Sequence, residues 1–376
     1  MGRPAPAGVP SPSPPTESKW SGGAPGETVT SPVVAPRNPA TDSTQPRTVT
    51  TVRTGRARSV TPTTAPLVVA RSEPDRSAPA QSAPAGSAGA LWPGDFPDPS
   101  VLRVGPVYYA YSTEVGLDAV PTIRSVDLVH WSYVGDALAT LPAWSGGQDV
   151  WAPSVVTSGV GYVMFYATRD ARTGDQCISR AVSTSPSGPF VDASVDPFVC
   201  QLDQGGDIDP DAFLDGNGQE WLFWKSQGTQ EGQPPRLWAQ SVTSGWTSLA
   251  GRPTAILGLS QPWEGSVVEA PAMISQGGHY FLLYSGNNWD SASYAIGYAV
   301  CRSVVGPCSK PDGAPVLSRH GTEAGPGSPG LFYDGAGQLK VAYHAWTTGH
   351  VGYPNGARSL HIGKVEITGT RLSIQG

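Results

Sequence analysis

PDAFLDGNGQEWLFWKS, residues 210–226, is a short apolar strand, a Gly-rich turn and a second strand heavy in aromatics. Asp215-Gly216 is a hairpin-turn dipeptide, and Trp221-Leu222-Phe223-Trp224 is an aromatic and aliphatic run of strand length. The same unit recurs four times: PSVLRVGPVYYAYST at 99–113, PSVVTSGVGYVMFYAT at 153–168, PAMISQGGHYFLLYSG at 271–286 and PGLFYDGAGQLKVAYHAW at 329–346. Each copy opens on a proline (Pro99, Pro153, Pro210, Pro271, Pro329), and successive prolines are 54, 57, 61 and 58 residues apart. A third apolar segment follows the aromatic strand, as in Ile123 to Val126, Ile178 to Val182, Leu237 to Val242 and Ile296 to Val300. No stretch of about 12 residues or more carries helical periodicity.

Each repeat therefore supplies three or four short antiparallel strands, and a repeat of this length means repetition of one sheet unit. Five such units arranged radially predict an all-β, five-bladed β-propeller. A sandwich would also give many short strands, but not five equivalent openings at near-constant spacing. The innermost strand of each blade lines the central channel. Pro is tolerated at the first residue of a strand, so each proline is expected to head an inner strand. The residues just before it then face the mouth of the channel. Asp98, Asp209 and Glu269 stand there in three blades, Trp151 in the second, and Gly327 with Ser328 in the fifth.

Composition divides the chain near residue 90. Residues 1–90 hold 16 of the 38 prolines but a single aromatic, Trp20, and no cysteine. A stretch so poor in apolar surface cannot offset the entropy of ordering it, so a disordered Pro/Ala/Ser/Thr-rich tail or linker is expected. Residues 91–376 hold all four cysteines and are long enough for a large core, here the propeller domain. The tail carries 9 Lys+Arg against 5 Asp+Glu, the remainder 15 against 25. So acidic a folded part argues against nucleic acid as a partner. No run approaches the ~20 apolar residues of a membrane span, and MGRPAPAGVPSPSPP is not a secretory start. The cysteines point the other way. Cys177 with Cys200, and Cys301 with Cys308, are neighbours across turn-rich segments, which suits two disulfides and an oxidising compartment. An extracellular or cell-surface enzyme is therefore expected despite the absent signal, and as a monomer.

Three carboxylates meeting in one pocket cannot all ionise at their free pKa values. Glycoside hydrolysis needs that: one carboxyl gives a proton to the leaving oxygen while another activates water or attacks. A single Asp before Pro is more simply a turn cap; three acids at matching places favour catalysis. DIDPD at 207–211 resembles a calcium loop only superficially, because Pro210 interrupts it and the downstream Gly and Glu are missing. An unbroken strand would put Asp207, Asp209 and Asp211 on one face, with Asp207 and Asp211 simply hydrated. Aromatic rings are the usual platforms for sugars. Trp151 is a candidate wall, with core packing as the alternative; Trp92, Phe96 and Trp289 are further candidates. His344 could orient a water or an ion near the axis or be a hydrogen-bonded structural residue. Arg358 could clamp a sugar hydroxyl or one of the acids, or form an ordinary ion pair. No nucleophile elbow, P-loop, dinucleotide fingerprint or zincin motif is present.

At these residues the chain resembles glycoside hydrolase family 43, the five-bladed arabinofuranosidases, arabinanases and xylosidases. The matching pieces are GDFPDPSVL at 94–102, SVDLVHWSYVGDAL at 125–138, WAPSVV at 151–156, DIDPDAFLDGNG at 207–218, VEAPAM at 268–273, YSGNNW at 284–289 and YHAW at 343–346, in family order. The resemblance implies that Asp98 is the general base, Glu269 the general acid, and Asp209 the carboxylate that orients the acid and tunes its pKa. It also implies inversion at the anomeric carbon, without a cofactor for the chemistry. In some members the residue matching His344 helps hold a calcium ion or a water at the propeller centre, so a structural Ca2+ there is a further expectation. The chain departs from the family at Ala270, where Gly is usual; the added methyl is expected to be tolerated there, although it could narrow the leaving-group side.

The function this implies is inverting hydrolysis of arabinose- or xylose-containing poly- or oligosaccharides, foremost of α-L-arabinofuranosyl linkages. Three alternatives stand beside it. One is a β-xylosidase of the same family. Another is a retaining five-bladed fructan or sucrose hydrolase, for which Arg169-Asp170 is faintly suggestive. The third is a non-catalytic glycan-binding propeller tethered by the tail.

Overall fold

The computed structural model describes residues 89–159, 161–228, 232–311 and 313–376. The expected tail, apart from Gly89 and Ala90, lies outside the described residues. From there on the chain is all-β among the described residues, interrupted only by short 3-10 turns at Leu202–Gln204 and Pro262–Glu264.

Five sheets follow one another along the chain. Blade I is β1 (Ser100–Val104), β2 (Val107–Tyr111), β3 (Pro121–Ser125) and β4 (Ser132–Asp136), in that spatial order. Blade II has five strands: β5 (Leu138–Thr140), β6 (Trp151–Ser158), β7 (Gly161–Arg169), β8 (Gln176–Ser183) and β9 (Phe190–Val191), with the short β5 added in parallel outside β9. Blade III is β10 (Asp207–Leu214), β11 (Glu220–Ser226), β12 (Arg236–Val242) and β13 (Leu249–Gly258). Blade IV is β14 (Val268–Gln276), β15 (His279–Gly286), β16 (Ala295–Cys301) and β17 (Cys308–Ser309). Blade V is β18 (Glu323–Tyr333), β19 (Leu339–Thr347), β20 (Ser359–Thr368) and β21 (Arg371–Gln375).

The second strand of each blade explains why the sequence runs are so apolar. Side chains alternate across a strand, and here both faces are covered. Val163 and Phe165 of β7 pack toward blade III, whereas Met164 and Tyr166 pack toward blade I. Phe281 and Leu283 of β15 join blade V, and Leu282 and Tyr284 join blade III. The apolar clusters thus lie in the seams between blades. The seam between blades V and I closes the ring, with Phe332, Ala342 and Leu360 against Phe96, Tyr108 and Ile123. The incoming chain reinforces that seam, since the N–H of Leu91 donates to the Leu360 carbonyl at 2.9 Å and that of Phe96 to the Arg358 carbonyl at 2.8 Å. Both disulfides, Cys177–Cys200 and Cys301–Cys308, are formed.

The five prolines line one axial cavity of about 40 Å³. Their place in the strands differs from expectation. Only Pro99 precedes its strand. Pro153, Pro210, Pro271 and Pro329 lie inside β6, β10, β14 and β18, where the pairing register jumps across them, from Trp151 to Ser154, Ile208 to Asp211, Glu269 to Ala272 and Gly327 to Gly330. A bulge accepts proline because it leaves a residue without a ladder bond. In all five blades the residue before the proline is left-handed and is not glycine: Asp98 (φ 50°), Ala152 (φ 47°), Asp209 (φ 55°), Ala270 (φ 51°) and Ser328 (φ 57°). Each such residue costs on the order of 1–3 kcal/mol and persists only where its surroundings enforce it.

Candidate active site

The four bulges, with the matching left-handed corner before Pro99, also fix the register of the site. Asp98 and Asp209 are the left-handed residues themselves, while Glu269 sits one residue earlier, at the place held by Trp151, Ile208 and Gly327. The expectation of three strictly equivalent acids is corrected to that extent. All three nevertheless open on one pocket of about 540 Å³, which Trp151, Lys225, Trp289, Tyr294, Tyr353 and Arg358 also line.

Asp98 is held from several sides. Its Oδ2 accepts hydrogen bonds from Thr113 Oγ1 at 2.6 Å and from Arg358 Nη1 at 3.4 Å. Thr113 Oγ1 in turn accepts the N–H of Ala152 at 2.9 Å, so the strained corner of blade II braces the Asp98 carboxylate. Burial pushes the carboxyl of Asp98 up, but the charge of Arg358, the neighbouring His344 and the hydrogen bonds from Thr113 and Ser328 together hold the group below its usual range. Arg358 stacks on Trp289, 4.6 Å from the ring centroid, and its Nε donates to Tyr353 Oη at 3.1 Å. Asp95 accepts the backbone N–H of Arg358 at 2.7 Å and also the hydroxyl of Tyr353.

Glu269 and Asp209 share the opposite side. Glu269 is 8% exposed. Its Oε2 lies 2.9 Å from Lys225 Nζ, and its Oε1 accepts the Tyr294 hydroxyl at 2.7 Å. Asp209 Oδ2 accepts the N–H of Ala270, next in chain to Glu269, at 2.9 Å. Burial pushes Asp209 up to about 7, and the negative charges of Glu269 and Asp98 add to this against the pull of Lys225. Lys225 is raised as well, because its two carboxylate neighbours outweigh its burial. Two carboxyls with opposed shifts, Asp98 low and Asp209 high, can divide base and proton-holding work near neutral pH.

His344, fully buried, stands behind Asp98. Burial depresses it to about 3, so its ring is neutral. Its Nδ1 accepts the backbone N–H of Asp98 at 3.1 Å, which places the ring proton on Nε2. The ring lies parallel to Tyr294, with centroids 5.8 Å apart. The Asp98 backbone, His344, Tyr294 and Glu269 thus form one packed row between the two sides of the pocket.

The family model described as glycosyl hydrolases family 43 matches residues 90–370. The chain belongs to that family. It is a glycosidase. The extracellular endo-α-(1→5)-L-arabinanase 1 of Bacillus subtilis (strain 168) is 26% identical over 60% of this chain and 71% of its own length. The extracellular exo-α-(1→5)-L-arabinofuranosidase of Cellvibrio japonicus is 25% identical over 64% of this chain and 72% of its own. A crystal structure of a thermostable family-43 glycoside hydrolase superposes with a TM-score of 0.68 and 29% identity, covering 75% of this chain and 93% of that one.

Against this family-43 site the sequence-derived candidates sort clearly. Asp98, Asp209, Glu269, Trp151, Trp289 and Arg358 line the pocket. Trp92 and Phe96 do not; they pack in the seam between blades V and I. Asp207 is fully buried, and Asp211 is half-buried on the axial cavity. The bulge at Asp209-Pro210 breaks the alternation of β10; Asp207 accepts the N–H of Gln201, and Asp211 that of Met273 at 3.1 Å. Burial pushes each to about 7. Arg169 pairs with Asp149, and Asp170 with Arg172; neither reaches the pocket, which removes the support for a fructan hydrolase. Ala270 lines the axial cavity and not the pocket. Its φ of 51° explains why glycine is usual there. Lys225, Tyr294, Thr113, Tyr353 and Asp95 escape a reading of the sequence. Lys225 alone leaves a signal, a lone charge ending the run WLFWKS.

Proposed function

We propose that this glycosidase hydrolyses α-L-arabinofuranosyl linkages of arabinose-containing polysaccharides or oligosaccharides with inversion of configuration. The observation that carries the reading is the meeting of Asp98, Asp209 and Glu269, from three blades, in one pocket under opposed electrostatics. Asp98, ionised and fixed by Thr113 and Arg358, takes the proton of a water as its oxygen attacks the anomeric carbon. Glu269 protonates the departing glycosidic oxygen on the other face of the ring. Asp209, bound to the N–H that follows Glu269, orients the acid and holds a proton close to it. Inverting enzymes leave roughly 6.5–9.5 Å between acid and base for the water. Trp289 and Tyr353 flank Arg358 as flat surfaces for a sugar ring. Arabinose is preferred to xylose because the Bacillus subtilis and Cellvibrio japonicus relatives carry arabinan names. Action outside the cell agrees with the two disulfides and with the extracellular names of both relatives; no helix among the described residues is long and apolar enough to cross a membrane.

A Ca2+ held directly by His344 does not fit. The Asp98 N–H occupies Nδ1, so the unpaired Nε2 offers a proton rather than a lone pair and suits a water oxygen.

The deciding test is proton NMR of the first sugar released from an aryl α-L-arabinofuranoside and from linear arabinan. The inverted anomer is expected first. Release of the retained anomer would overturn the roles, and cleavage of β-xylosides alone would overturn the sugar.

A further inference from the structure

Both oxygens of Glu269 are already taken by donors. Lys225 occupies Oε2 and Tyr294 occupies Oε1. An ammonium has three donors and no acceptor, so Lys225 fills one lone pair of Oε2 and opposes, by its charge, a proton on the other. The pair is buried, with Lys225 6% and Glu269 8% exposed, and water screens it little. Lys225 has a second partner nearby, Gln227 Oε1 at 3.3 Å, and both residues line the pocket. The groups facing Glu269 are Lys225 near the end of β11, Tyr294 ahead of β16, and Asp209 at its bulge. Of these only Lys225 is cationic; Arg358, the other cation of the pocket, is engaged on Asp98.

We propose that Lys225 is the counter-ion that occupies Oε2 of Glu269 in the free enzyme, and that a bound sugar must draw it away before Glu269 can present a proton to the glycosidic oxygen. This rests on the acid role given to Glu269 above. Lys225 is a positioning residue, acting through Glu269. A sugar hydroxyl accepting from Nζ, with Gln227 taking part of the load, would free Oε2 for a proton and for the glycosidic oxygen. Loading of the acid is then coupled to filling of the pocket, and an empty site is held in the unloaded state.

The test compares Lys225→Met, which keeps the stem and removes the charge, with Lys225→Arg, which keeps the charge. The first readout needs no substrate. Glu269 is labelled at its side-chain carboxyl carbon, assigned through Glu269→Gln, and titrated by carbon NMR. The second is the pH dependence of kcat/KM on para-nitrophenyl α-L-arabinofuranoside. In the Met variant the Glu269 transition and the alkaline limb should both move up by about one pH unit or more, because the nearby opposite charge is gone. In the Arg variant both should stay near wild type. An unmoved transition in a folded Met variant overturns the proposal. If the Met chain does not fold, Lys225→Gln takes its place with the same expectation. A wild-type enzyme inert toward the arabinoside would count against the function proposed above, and the titration would still decide the role of Lys225.

Discussion

Gly327→Ala is the substitution whose consequences the geometry specifies most fully. Gly327 holds in blade V the place that Glu269 holds in blade IV, and the sequence offers no more there than a missing acid. A Cβ built on Gly327 would overlap Cε1 and Cδ1 of Tyr294 and stand 2.8 Å from Cζ. Carbon atoms need about 3.5–4.0 Å, so the ring or the strand must yield by more than about an ångström. Tyr294 has nowhere easy to go: it is 1% exposed and stacked on His344. No positive φ is involved, so space alone reserves the position for glycine. Overpacking of this kind costs about 1–3 kcal/mol, or roughly 2–10 °C in Tm for a domain of this size. Displacing Tyr294 also removes the hydroxyl from Glu269, and a hydrogen bond to a charged group contributes about 1.5–3 kcal/mol, roughly 10- to 100-fold in rate. The assay is kcat and KM on para-nitrophenyl α-L-arabinofuranoside beside thermal unfolding, with Tyr294→Phe as the comparison. The Phe variant should lose about tenfold in kcat/KM with a smaller fall in Tm, whereas Gly327→Ala adds the overpacking and should lose more of both activity and stability. A Gly327→Ala enzyme with wild-type Tm and turnover would refute the claim that Tyr294 is wedged between His344 and Glu269.

Asp98→Asn and Glu269→Gln should each lower kcat by about a thousandfold or more while the chain still unfolds cooperatively, at a lower Tm for the buried cation each leaves unpaired; near-normal turnover in either would remove its assigned role. Ala270→Gly relieves a left-handed alanine and should stabilise by about 1 kcal/mol, seen as a Tm about 2–4 °C higher, with kcat unchanged. Asp211→Asn tests burial through pH. With a folded value of about 7 against 3.8 for the free group, the wild-type carboxyl contributes stability that is intact below about pH 4 and lost as pH rises toward 7. The advantage of the Asn variant over wild type in urea unfolding should therefore grow by about 1 kcal/mol per pH unit between pH 4 and 7 and level off above; a difference independent of pH would mean that Asp211 is not held protonated.

The fold and the site are legible in the sequence to different depths for a physical reason. Blade count depends on local signals, a turn dipeptide and an apolar run, and every copy carries its own, so five prolines suffice to count five sheets. The gathering of Asp98, Asp209 and Glu269 follows from that count, because equivalent points on inner strands must converge on the axis. Register within the gathering is a backbone property. Whether the functional side chain is the left-handed residue, as at Asp98 and Asp209, or the one before it, as at Glu269, depends on how each bulge turns around its proline. Asp207 and Asp211 defeat the period-two rule for the same cause, since one bulge between them cancels it. Lys225, Tyr294 and Thr113 lie further out of reach, because each acts on an acid of another strand and Lys225 reaches an acid of another blade. Their partners are chosen by closure of the ring, which brings Lys225 of β11 to Glu269 of β14, and no spacing within one repeat encodes that contact. Blade V makes the point most directly: an absent side chain at Gly327 is what admits Tyr294, so the position that looks empty in sequence is the one that shapes the acid's surroundings.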